Sequence, residues 1–236
     1  MKRFAFLCIY AFILSATVSS CYFEKIGPYE ETTQNYGLKN FDRLEMGSGF
    51  EVKLVQGASF DVSVRGDKDD INDLDIYTRN GTLKAEYRRN RSNRRHEMHI
   101  TVTMPTLRGV DFSGALQATA IGFDDLTTLD IRLSGASKVD FVGKANRLNV
   151  NLSGASTLDL EGKGAELRAE LSGASTLRST KYIVNAAELD LSGASSARVL
   201  VSDDLNVKAS GASNVRYQGK PRINSQTSGN STVNPE

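Results

Sequence analysis

The 236-residue chain carries 29 Lys and Arg against 28 Asp and Glu, contains no Trp and only two His, and is 39% hydrophobic. A charge so close to balance excludes a dedicated nucleic-acid binder, which would present a strongly basic domain. The modest apolar content also argues against a compact globule of this length and for an architecture whose core is a narrow strip between exposed faces.

The chain opens Met1-Lys2-Arg3, runs apolar from Phe4 to Leu14, and turns small and polar from Ser15 to Ser20. A basic start, a short apolar core and small residues before a cut describe a secretory signal peptide over residues 1–20. The run is too short for a span, which needs about 20 apolar residues. Val18-Ser19-Ser20-Cys21 resembles the lipobox of bacterial lipoproteins. That resemblance implies cleavage before Cys21, diacylglycerol on its thiol, acylation of its new amine and attachment to a membrane. Tyr22 follows the cysteine where an aspartate would signal inner-membrane retention, so an outer-membrane lipoprotein is expected, facing the periplasm or the cell surface. Cys8 leaves with the signal peptide, so no disulfide is expected within the mature chain. Without Lys2 and Arg3 the basic residues number 27 (29 − 2), giving a net charge of −1 (27 − 28). Residues 21–37 lack sustained periodicity and read as a lipidated tether.

Residues 38–105 read as an amino-terminal β-strand region. Phe50-Glu-Val52-Lys-Leu54, Phe60-Asp-Val62-Ser-Val64 and Met98-His-Ile100-Thr-Val102 alternate apolar and polar, the period of a half-buried strand. Asn80-Gly81, between Leu74–Thr78 and Leu83–Tyr87, is a two-residue hairpin signal. Residues 67–73 are expected to form a turn or a single helical turn. Met46-Gly47-Ser48-Gly49 echoes a motif found downstream and is a candidate for an early, irregular rung. The region is expected to cap or extend the repetitive part of the chain.

From residue 106 to 236 the chain is repetitive. Ser-Gly-Ala-Ser begins at Ser134, Ser153, Ser172, Ser192 and Ser210, with degenerate copies at Ser113 and Ser228. A period near 20 residues marks a solenoid, in which each repeat buries its apolar face by stacking on its neighbours. Between copies, Leu129, Ile131, Leu133, Val139, Phe141, Leu148, Val150, Leu152, Leu158 and Leu160 alternate with Asp130, Arg132, Lys138, Asp140 and Asp159. The expected fold is all-β: a single-chain parallel β-helix of about 18–21 residues per rung and seven repeats. Parity along an unbroken pleat would point both Gly154 and Ser156 inward. Gly135, Gly154, Gly173, Gly193 and Gly211 then serve a bend with positive φ, and Ser137, Ser156, Ser175, Ser195 and Ser213 form an inward ladder of mutually bonded hydroxyls. The motif reads as a structural corner rather than a binding surface. The last unit, Ile223 to Val233, is more polar inside and suits a terminal cap.

No catalytic residues, metal site or cofactor are expected. His96 and His99 are three apart, which on a strand puts them on opposite faces, and Cys21 alone cannot found a zinc site. Arg88, Arg89, Arg91, Arg94 and Arg95 crowd one loop, either as an anion-binding site or as a solvated hairpin balanced by Asp67, Asp69, Asp70, Asp73 and Asp75. Parallel β-helices include polysaccharide lyases and hydrolases, yet connections as short as Glu161-Gly-Lys-Gly-Ala-Glu166 leave little room for a cleft.

The lipobox, the strand ending Thr101-Val-Thr-Met-Pro105-Thr-Leu107 and the serial Leu-Ser-Gly-Ala-Ser units together resemble the putative auto-transporter adhesin, head GIN domain family, over Phe41 to Val233. The resemblance implies a β-helical cell-envelope protein without known catalysis and supplies no ligand residues. The expected function is a non-catalytic adhesion or binding module, attached to the membrane by its lipid, with a glycan or an envelope protein as ligand and no nucleic acid. The rivals are a structural or regulatory envelope protein that binds a protein partner, and a carbohydrate-active enzyme.

Overall fold

The computed structural model describes residues 28–89 and 95–236. Residues 1–20, read above as a signal peptide, and Cys21, Arg91 and Arg94 lie outside the described residues. Residues 29–89 and 96–236 belong to one compact body, built almost wholly of strands.

Each coil of that body contains two strand segments joined by a Ser-Gly-Ala-Ser turn. One segment precedes the turn and the other comes after it, and each pairs in parallel with its counterparts in the coils before and after. The first coil in register is β2 (Arg43–Met46) and β3 (Glu51–Gln56), followed by β8 (Gly109–Phe112) and the first part of β9 (Gln117–Leu133). The long strands β9, β10 (Lys138–Leu152), β13 (Thr176–Leu191) and β14 (Ser196–Ala209) run through a bend and contribute to both faces, whereas β11 (Thr157–Lys163) and β12 (Glu166–Leu171) are separate. β15 (Asn214–Gln218), β16 (Arg222–Thr227) and β17 (Thr232–Pro235) complete the stack. The strand pairing defines a β-solenoid of about seven turns. The inward residues read from parity, Leu129 through Leu160 among them, are all buried. On the last coil the parity persists but cover is lost, and Ile223 is 44% exposed.

The amino-terminal region extends the stack and closes it. β6 (Thr82–Tyr87) and β7 (His99–Met104) pair in parallel with β2 and β3, so a later stretch of chain lies outside an earlier coil. Antiparallel strands then finish this end: β5 (Leu74–Arg79) on β6, and β4 (Asp61–Asp67) on β7. Asn80 (φ 51°) and Gly81 (φ 75°) make the two-residue hairpin with both residues left-handed. A single-turn helix, α1 (Lys68–Asp73), joins β4 to β5. Its cap, Asp67, accepts from the N–H groups of Asp69 and Asp70, and from Glu30 at 2.9 Å. Burial works to raise this carboxyl, but those backbone donors outweigh it and hold Asp67 below the usual carboxylate range.

The tether reading is corrected over Glu31–Tyr36. This segment is strand β1, antiparallel to β4. Its sequence, ETTQNY, is polar because it is the edge strand and only Tyr36 packs on the core. Backbone pairing with β4, not burial, holds it there, so hydrophobic periodicity carries no trace of it.

The turns explain the repeat. The glycines at 114, 135, 154, 173, 193, 211 and 229 have φ between 69° and 76°, the left-handed region that strains other residues. A Cβ on Gly173 would lie 2.6 Å from the carbonyl oxygen of Gly154 in the coil before, and every turn glycine from Gly135 onward repeats the contact. The next residue closes the ladder: the Ala174 N–H donates to Gly154 O at 2.7 Å, as Ala155 does to Gly135. Two details differ from the parity expectation. The turn interrupts the pleat, so Gly154 is exposed while Ser156 is fully buried. The buried hydroxyls also do not chain from coil to coil. Each of Ser137, Ser156, Ser175, Ser195 and Ser213 donates to the carbonyl of the first serine of its own turn, at 2.7–2.9 Å.

A second stabilising device spans three coils. Between β11 and β12 the strand breaks at Gly164, and the ring of Tyr182 passes over that glycine, where a Cβ would meet its hydroxyl at 2.9 Å. The Tyr182 hydroxyl accepts from the Ala145 N–H (3.0 Å) and donates to its carbonyl (3.2 Å), replacing the missing strand partner. Burial pushes this phenol up to about 12.

Two outcomes are expected. Gly173→Ala combines a left-handed φ with a backbone overlap and should cost more than about 2 kcal/mol in urea unfolding. Gly81→Ala, with a similar φ but nothing within 4 Å of its Cβ, should cost about 1 kcal/mol. For Tyr182, the unfolded chain ionises near 10.0 and the folded chain near about 12. Between these the unfolded state binds fewer protons, so wild-type stability falls as pH rises from about 10 to 12. Tyr182→Phe should be less stable at neutral pH, and its loss of stability over that range should be shallower.

Candidate functional site

In-register stacking turns the outward residues into columns that run along the solenoid at the strand spacing of about 4.8 Å. The strands preceding the turns carry one column of Asp130, Asn149, Arg168, Glu188, Asn206 and Asn224, and beside it Arg132, Asn151, Glu170, Asp190, Lys208 and Gln226. Both signs of charge are mixed here, and several ion pairs join neighbouring coils. Arg147 meets Glu166 at 2.8 Å, Arg168 meets Glu188 at 3.6 Å, and Arg222 meets Asp204 at 2.8 Å. Arg43 reaches across Gly109, where a Cβ would collide with its guanidinium, to Asp130 two coils away at 2.7 Å. Burial acts to raise Asp130, but the hydrogen bonds from Asn149 and Arg43 and the Arg43 charge outweigh it and set its carboxyl low.

The strands after the turns carry a different pattern. One column reads Glu51, Gln117, Lys138, Thr157, Thr176, Ser196, Asn214 and Thr232. Its neighbour reads Lys53, Thr119, Asp140, Asp159, Arg178, Arg198, Arg216 and Asn234, acidic in its middle and basic towards the carboxyl end. A third begins with the apolar Val55, Ile121 and Val142, the last 41% exposed. The depressions on both faces are open troughs between columns, one lined by Asp130, Arg132, Asn149, Asn151, Arg168 and Glu170 and another by Asp140, Val142, Asp159, Glu161, Arg178 and Lys181.

The arginine-rich loop is not gathered into a site among the described residues. Arg88 turns to Asp75 (3.7 Å) and to the carbonyl of Asn72, and Arg89 turns to the buried Asp73 (3.7 Å). Arg95 is partly exposed. His96 and His99 do not meet. Instead His99 Nδ1 lies 3.0 Å from Glu51 of the adjacent strand, and with Glu97 the three ligand atoms fall within 4.8 Å of one another. Sequence spacing could not show this trio, because strand pairing supplies Glu51. It is the one set of metal-ligating groups among the described residues; it is solvent-accessible, and Arg65 stands opposite His99 in the strand pairing. The arginine column had a sequence signal that went unread. Arg178, Arg198 and Arg216 each fall six residues after the first serine of a turn (172 + 6, 192 + 6, 210 + 6).

The architecture is thus a two-faced parallel β-solenoid whose accessible surface is ribbed by side-chain columns. The sequence profile of the putative auto-transporter adhesin, head GIN domain family matches residues 40–221, and the chain belongs to that family. Among solved structures it is similar to a putative adhesin from Bacteroides fragilis, with 23% identity and a TM-score of 0.81 over 88% of this chain and 97% of that one. A putative adhesin from Parabacteroides merdae (14%, TM-score 0.69, 88% and 96%) and a putative lipid binding protein from Parabacteroides distasonis (14%, TM-score 0.71, 87% and 96%) share the fold. No curated protein matches the sequence.

Proposed function

We propose that this protein is a non-catalytic binding module of adhesin type, fixed to the outer membrane through a lipidated Cys21 and presenting its ribbed faces to an envelope or extracellular ligand. The observation that carries this reading is the exposure of long, in-register columns of hydroxyl, amide and charged side chains on flat faces. Such columns offer the same contact again at each coil and suit an extended ligand. The membership of a putative adhesin family supports it. The membrane role rests on the lipobox-like Val18-Ser19-Ser20-Cys21, since several acyl chains anchor stably where one alone does not. Recognition of an envelope protein is the second reading, favoured by the column of Val55, Ile121 and Val142, whose apolar surface would gain from cover.

Two measurements test the proposal together. Protease added to intact cells should degrade the protein, while a periplasmic control survives until the outer membrane is opened; full protection would exclude a surface adhesin. Cys21→Ser should shift the protein from the membrane fraction to the soluble fraction, and retention of the variant on membranes would refute the lipid anchor.

A further inference from the structure

Arg178, Arg198 and Arg216 occupy the same position on three successive coils, paired in register on β13, β14 and β15. Like charges directly opposite one another on neighbouring strands oppose folding. Elsewhere several basic residues pair with an acid of a neighbouring coil, as Arg147 does with Glu166 and Arg222 with Asp204. Here two of the three have an acidic partner and the end member does not. Arg178 bonds Asp159 of the preceding coil at 3.2 Å, and Arg198 lies 3.8 Å from Glu236 on the last coil. No ion pair joins the exposed Arg216 to a described residue. Between the turn and the bend, none of the outward residues on these three coils (176–181, 196–200 and 214–218) is acidic. A column of Thr176, Ser196 and Asn214 runs alongside, offering hydroxyl and amide groups at the same spacing.

We infer that this strip binds an acidic polysaccharide, laid along the stacking axis with its carboxylate or sulfate groups on the arginines and its hydroxyls on the Thr-Ser-Asn column. The guanidinium fork matches a carboxylate or sulfate through paired hydrogen bonds, which a lysine would not reproduce. An extended sugar chain advances by about one strand spacing per residue, so contacts can recur coil after coil. A nucleic acid would supply the charge, but no outward residue of the strip is aromatic, and the neighbouring Tyr217 packs on the core, so a base would lack a stacking platform. The inference rests on the reading of the chain as a binding module and names both the face and the ligand class.

The test uses the full chain and three probes: polygalacturonate, its fully methyl-esterified neutral form, and a single-stranded DNA oligonucleotide. The account expects salt-sensitive binding of polygalacturonate, a loss of at least tenfold in affinity for Arg198→Gln/Arg216→Gln, and no loss for Arg147→Gln/Arg222→Gln on the opposite face. Removing two like charges that face each other, of which only Arg198 has a long, exposed ion pair, should also leave the thermal midpoint of the first double variant no lower than wild type, so weaker binding cannot be laid to misfolding. Three results would overturn the inference: no binding of polygalacturonate, equal binding by the first double variant, or equal binding of the neutral ester. DNA bound as tightly, with the same dependence on Arg198 and Arg216, would overturn the assignment to a glycan. If polygalacturonate fails while intact cells still lose the protein to protease, the binding-module reading stands and this face is not its site.

Discussion

Where the chain passes from one face of the solenoid to the other, the glycine carbonyl of each coil accepts a hydrogen bond of 2.6–2.7 Å from the N–H of the residue just after the next coil's glycine, an alanine in all but the last turn. The glycine of the next coil approaches the same oxygen so closely that a single added carbon would overlap it. From the Ser134 turn onward, every coil is thereby pinned to its predecessor at one fixed point. The flanking N–H groups continue the ladder into the strands on both sides, as Ser153 to Leu133 and Thr157 to Ser137 illustrate. The turn is thus part of the hydrogen-bonded stack rather than a loop outside it.

Pinning one edge decides where irregularity can go. Repeats of 18 to 21 residues cannot differ at the turn, so the difference is absorbed at the opposite bend. The register shifts fall there: between Val142 and Ala145, between Asp159 and Glu161, and between Ser179 and Ala186. The bend is also where a strand breaks at Gly164 and Tyr182 supplies the missing partner for Ala145. With these adjustments kept to one edge, the residues between turn and bend stay aligned over many coils. Columns of side chains result, and their chemistry is free to differ between faces. One face mixes both signs of charge and joins several of them in ion pairs; the other collects arginines that its neighbours do not fully answer.

Much of the solenoid was legible because its signals are local and repeated. Leu148, Val150 and Leu152 alternate with polar residues, and the glycine recurs at a fixed place in each copy. What escaped were features made by contacts between distant segments. Strand β1 has no apolar periodicity because its pairing with β4 runs mainly through the backbone and only Tyr36 packs on the core. The placement of β6 and β7 outside β2 and β3 reverses chain order, and no pattern within either segment encodes it. Gly154 faces outward against expectation because strand parity does not carry through a turn that resets it. The arginine column lay in plain sequence, six residues beyond each turn, yet its meaning as a stack depends on register, which becomes visible only when the coils are aligned.

Amide hydrogen exchange on the native protein, resolved at single residues, tests the pinned turn most directly. The account predicts that Ala155, Ala174, Ala194 and Ala212 exchange as slowly as the buried strand amides beside them, because opening any one requires separating two coils. Exchange of these four amides at the rate of exposed loop positions would contradict it, and would leave the strands alone to hold the stack in register.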